Sequence, residues 1–138
     1  MKNKIQIKAN RNHFIGISLL DILDLIDKPE NYKWSILWIE AIGEIKNDTM
    51  LDFEIRVNKS TSGYMVRFSD LVNLAKSFTR VIEILIIGDE NINNLKRYDI
   101  DHEMHSNCNF CLELVDSSYW DIYSNDMIFL KTIKEKWS

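Results

Sequence analysis

The chain has 138 residues, 46% of them hydrophobic and 28% charged, which fits one domain with its own core and excludes a disordered tract or a coiled coil. Two cysteines are too few for a disulfide scaffold, and the longest apolar runs, "ILWIEAIG" and "VIEILIIG", are short and carry a glutamate, so neither is expected to span a membrane. The net charge of −4 is uneven: residues 89–126 hold nine acidic residues against Lys96 and Arg97, a net −7 that leaves the remainder at +3.

Such a segment repels phosphates and attracts cationic surfaces, so direct nucleic acid binding is not expected unless Lys2, Lys4, Lys8 and Arg11 form a basic patch. The opening "MKNKIQIKANRNHF" starts basic and supplies no apolar signal core, and the cysteine usage suits a reducing compartment; together they predict a cytoplasmic protein.

Along the chain, "KIQIKA" (4–9) alternates Ile5 and Ile7 with polar neighbours and reads as a short strand. Ser18 precedes "LLDILDLID", where Leu19, Leu20, Leu23 and Ile26 recur at helical spacing until Pro29 stops the run. Residues 33–46, rich in aromatic and β-branched side chains, predict a long buried strand, bulged near Gly43. "LDFEIRV" (51–57) alternates perfectly and predicts a strand, joined through "NKSTSG" to a second strand at 64–68 as a hairpin. Ser69 is the expected cap of a helix over "DLVNLAKSFTRVI", followed by an interior strand "EILIIG" and a polar, acidic loop.

"FCLELV" and "YWDIYS" then read as paired strands around the turn "DSS". In the first, Phe110, Leu112 and Leu114 face one way and Cys111, Glu113 and Val115 the other. "NDMIFLKTIKEKW" closes as a helix capped by Ser124 or Asn125. The sum is a single α+β domain over 1–138, a mostly antiparallel sheet of five to six strands with two to three helices packed on one face.

Candidate sites are few. His102, His105, Cys108 and Cys111 are a zinc-type ligand set, but their regular spacing of three keeps the chain from wrapping an ion, and an odd offset at a strand start sends the cysteines to opposite faces. The expectation is a solvated loop without metal, with a zinc or small-ligand site over residues 98–111 as the alternative. Asp21, Asp24 and Asp27 read as a wet helix face, Asp116, Ser117 and Ser118 as turn residues, and "STSG" lacks the lysine of a phosphate loop. Without a nucleophile–base pair or a recognisable carboxylate pair, no enzyme and no cofactor are expected. The four tryptophans read as core, except Trp120, which lies beside acidic residues and suits an interface. The expected partner-binding surface is Asp89, Glu90, Asp99, Asp101 and Glu103 from the loop, with Tyr119, Trp120, Asp121 and Tyr123 from the strand after it.

The run "WIEAIGEI" after Trp34, the hairpin with Gly63, "FSDLVNLAKSF" with "EILIIGDEN", and the ending "ELVDSSYWDIYSNDMIFLKTIKEKW" resemble, in texture and order of elements over about 34–137, small bacterial proteins encoded beside polymorphic toxins, including the immunity proteins of contact-dependent growth inhibition. The resemblance implies a cytoplasmic, non-enzymatic inhibitor, monomeric or a small homo-oligomer, that binds the carboxyl-terminal domain of a cognate toxin, commonly a nuclease. It transfers no binding residues.

Overall fold

The computed structural model describes residues 3–8 and 16–137. Along the chain run β1 (Asn3–Lys8), α1 (Leu19–Leu23), β2 (Lys33–Gly43), α2 (Met50–Asn58), β3 (Tyr64–Val66), α3 (Phe68–Ser77), β4 (Phe78–Asp89), α4 (Asp101–Asn107), β5 (Phe110–Val115), β6 (Tyr119–Ser124) and α5 (Met127–Trp137). Short 3-10 turns sit at Pro29–Asn31 and Ile92–Asn94. All six strands form one sheet in the order β1-β6-β5-β4-β2-β3, and every neighbouring pair is antiparallel. The α+β class follows. Among the described residues five helices replace the two or three expected, because 50–58 and 101–107 are helical.

Alternation sorts the strands into two faces. One carries Ile7, Trp34, Ile36, Ile39, Ile84, Ile86, Phe110, Leu112, Leu114, Trp120 and Ile122, and joins one core with Ile22 and Leu23 of α1, Phe53 and Val57 of α2, Leu71 of α3 and Phe129 and Ile133 of α5. Trp34 anchors it: its ring packs against Tyr32, Phe68 and Phe110, and its indole N–H donates to Pro29 O at 3.2 Å. Opposite Trp34 in the register stands Gly88, where an added Cβ would lie 2.5 Å from the indole ring. Glycine is required there to let the ring lie across β4.

Local chemistry sets the helix ends. Ser18 and Asp21 form a reciprocal capping box for α1, which turns out of helix after Leu23, sooner than its periodicity predicts. Asp126, rather than Ser124 or Asn125, caps α5 by accepting from the N–H groups of Ile128 and Phe129, while Ser124 Oγ accepts from the N–H of Asp126. The α3 helix starts at Phe68, not after Ser69, and gives way to β4 at Phe78; the strand is therefore longer than "EILIIG". β2 shifts register three times against β4, once at Ile42/Gly43 where the bulge was expected. The shift between Ile36 and Trp38 places Leu37 and Trp38 together on the second face.

Candidate protein-binding face

The second face is covered at one end only. There Met104 of α4 packs with Leu37, Ile87, Leu95, Cys108 and Cys111 in a separate small core. The segment 101–107 is thus a helix lying on the sheet and not a solvated loop. Among the described residues no helix covers the rest of this face, and the registers lay out its side chains. Trp38 pairs with Leu85, Leu85 with Glu113, Glu113 with Asp121, and Asp121 with Gln6, a row across five strands. Beside it Glu40 pairs with Glu83, and Val115 with Tyr119.

Some expected partner residues meet here. Asp121 accepts from Gln6 Nε2 at 2.9 Å and lies 3.5 Å from Lys4 Nζ. Tyr123 stacks on His105 at 3.6 Å with the rings 9° from parallel. Burial raises the Glu113 carboxyl above its ordinary range first, and the charges of Asp121, Asp101 and Glu83 add to it against the opposing Lys4. Asp101 from the helix and Asp121 from the strand therefore share one field with Glu113. Tyr119 is half-buried on the same face.

Others do not belong to it. Trp120 has no exposed surface; it lies in the main core, its indole N–H donating to Ile17 O at 2.9 Å. Its place on β6 sends it to the face opposite Asp121, as strand alternation requires. Asp89 is 4% exposed and organises the chain after β4, accepting from Asn109 N, Asn91 N and Asn94 Nδ2 at 2.8–2.9 Å. Glu90 is exposed but follows Asp89 into that connection, its N–H donating to Asn109 Oδ1. Asp99 and Glu103 are exposed. Of the amino-terminal cations that could have formed a basic patch, Lys4 and Lys8 of β1 flank β6 opposite Tyr123 and Tyr119 as a border, and Lys4 partly neutralises Asp121. Lys2 and Arg11 lie outside the described residues.

The histidine and cysteine run is dispersed by the helix. His102 is exposed, and His105 is committed to Tyr123. Cys108 ends α4 with its sulfur 3.6 Å from Asn94 O, while Cys111 is buried in β5 with its sulfur 3.5 Å from Met104 O. Among the described residues no group of three or more His, Cys, Asp and Glu is placed to hold a metal ion. Among the same residues no helix is long and apolar enough to cross a membrane.

The residues that complete the open face, Trp38, Glu83, Leu85 and Glu113, fall outside the expected partner set. Their signal was the single glutamate inside an otherwise apolar strand, present in both "VIEILIIG" and "FCLELV". In a sheet covered on both faces that acid would be buried; here it marks the uncovered side. Comparison with known proteins supplies no relative: no protein-family model, curated protein or solved structure matches the chain.

Proposed function

We propose that the protein works by binding, as the cytoplasmic immunity protein of a contact-dependent growth inhibition or polymorphic toxin system, and blocks a cognate toxin domain, commonly a nuclease. The observation that carries this reading is the open half of the second face, where Glu40, Glu83, Glu113 and Asp121 share strand rows with Trp38 and Tyr119 and Asp101 of α4 adds its charge to the field at Glu113. A nuclease domain is basic where it grips phosphate, and an opposite field speeds encounter while an aromatic anchor supplies affinity.

The test is to mix the protein with the carboxyl-terminal domain of the secreted toxin encoded beside it. A stoichiometric complex that weakens several-fold between low and physiological salt and suppresses the toxin's nuclease activity is expected. If no complex forms, or if a toxin-sensitive cell gains no protection from the gene, the reading is overturned. Changing Asp99, Asp101 and Glu103 together to lysine tests the location: unchanged affinity removes the α4 margin from the contact.

A further inference from the structure

Seven carboxylates among the described residues are buried or half-buried: Asp48, Glu54, Glu83, Asp89, Glu113, Asp121 and Asp126. Five are committed. Asp48 pairs with Arg56, Glu54 accepts from Ala41 N, Asp89 holds its three donors, Asp121 takes Lys4 and Gln6, and Asp126 caps α5. Glu83 and Glu113 have neither a hydrogen bond nor an ion pair among the described residues, although a half-buried charge without a partner is costly.

The two are neighbours. Glu113 stands opposite Leu85 in the register, so Glu83, two residues along β4 on the same face, is its diagonal neighbour. Diagonal positions lie about 7–8 Å apart, close enough for both side chains to reach one cation between them. They flank a shallow groove of about 320 Å³, floored by Leu85 and Val115 and walled by Trp38. Trp38 is 45% exposed where Trp34 and Trp120 are fully buried. Glu40, across from Glu83, adds a further negative charge at the rim.

We propose that this groove is a seat for one arginine side chain of the protein partner, its guanidinium over the Trp38 indole and between Glu83 and Glu113. This rests on the binding function proposed above and names what that face recognises. A guanidinium is planar, weakly hydrated, able to bond two carboxylates at once and to stack on an aromatic ring; a lysine ammonium offers a compact, strongly hydrated charge that fits this arrangement less well. The apolar floor takes the methylene stem. A divalent metal is the poorer occupant, since two carboxylates fall well short of the six to eight oxygens that calcium takes.

The experiment uses the full chain, 15N-labelled, titrated with N-acetyl-argininamide, N-acetyl-lysinamide and calcium chloride at constant ionic strength, and followed by the Trp38 indole N–H and the amides of 83–85 and 113–115. The arginine probe should shift these signals saturably and bind at least five-fold more tightly than the lysine probe. The double variant E83Q/E113Q, with its fold verified by the remaining amide shifts, should weaken it at least ten-fold, and Trp38→Leu several-fold. Equal binding of the two probes, shifts scattered over the surface, matching shifts with calcium, or an unchanged double variant would each overturn the assignment. The same double variant is then mixed with the toxin domain. A complex of undiminished affinity sinks the arginine seat and leaves the inhibitor reading standing, whereas arginine binding with no toxin complex does the reverse.

Discussion

Arg97 spends its charge on the backbone. Its Nε donates to Ser60 O at 2.7 Å, one terminal nitrogen to Leu37 O at 2.7 Å, and the other to Val57 O at 2.9 Å and Ser60 Oγ at 3.2 Å. One planar fork thus ties the carboxyl end of α2 to the edge of β2 and brings a positive charge to the negative end of the helix. In the sequence Arg97 counts as one of two cations against nine acids, but in the fold it balances a helix end and no carboxylate. A lysine cannot span those acceptors. Arg97→Ala should therefore cost about 2–4 kcal/mol, because several charge-assisted bonds go at once, and Arg97→Lys should recover less than half of that. Urea unfolding of the three proteins gives the measurement; a loss under about 0.5 kcal/mol for the alanine variant would contradict the role.

Helix α2, like α4, is an element that pattern reading gets wrong, and its partners explain why. "LDFEIRV" alternates as a strand should, yet as a helix it buries only Phe53 and Val57 and leaves Leu51 66% and Ile55 44% exposed. What decides the matter lies outside the segment. β3 pairs with only Trp34, Ser35 and Ile36, so the rest of β2 has an open edge on that side. Side chains from α2 close it: Asn58 Oδ1 accepts from Ile39 N at 2.9 Å, Asn58 Nδ2 donates to Ile39 O at 3.0 Å, and Glu54 accepts from Ala41 N at 2.9 Å. Asn58 imitates a neighbouring strand. Thr49, the cap that accepts from Asp52 N, was the local helix signal that the alternation outweighed. Segments that pair with other strands, such as "FCLELV" and "YWDIYS", were legible because period and partner agree there. Replacing Asn58 by alanine should cost about 1–3 kcal/mol by orphaning a donor and an acceptor of Ile39. It should also bare a strand edge that templates association. Chemical unfolding and light scattering of the same sample check both parts; a variant with unchanged stability and no added self-association would refute the edge-closing role.

At the scale of the whole molecule, a single sheet has one face fully roofed by four helices and the other roofed only by α4 and the chain leading to it. Which strands turn inward is written in their alternation, so the core was legible; which half of the second face stays bare depends on where α4 lies, and that is a contact between distant segments. Of the residues expected at a partner surface, Asp101, Tyr119, Asp121 and Tyr123 meet at this face, and Trp38 and Glu83 lie on it outside that set for the same reason. The same geometry makes pH a probe of the face, because His105 and Glu113 respond oppositely within it. Burial lowers the His105 pKa below its ordinary 6.5, with Lys4 and His102 assisting and Asp101 and Asp121 opposing. The unfolded chain then takes that proton more readily, so its contribution is whole above about pH 6.5 and is lost as pH falls toward the folded value. For Glu113 the folded pKa is raised above 4.5, chiefly by burial. There the folded state holds the proton more tightly, and stability declines as pH rises from about 4.5 through the folded value. Glu113→Gln should accordingly raise the melting temperature at pH 7, with the gain shrinking as the pH approaches 4.5. His105→Gln should flatten the loss of stability below pH 6.5, and the amides of α4 should lose exchange protection first in the parent protein over that range. Thermal melts from pH 4 to 8 decide it: a Glu113→Gln gain that grows on acidification would mean that the carboxylate is stabilised by its neighbours, and the bare half of the sheet would then carry no unmet charge for a cationic partner to answer.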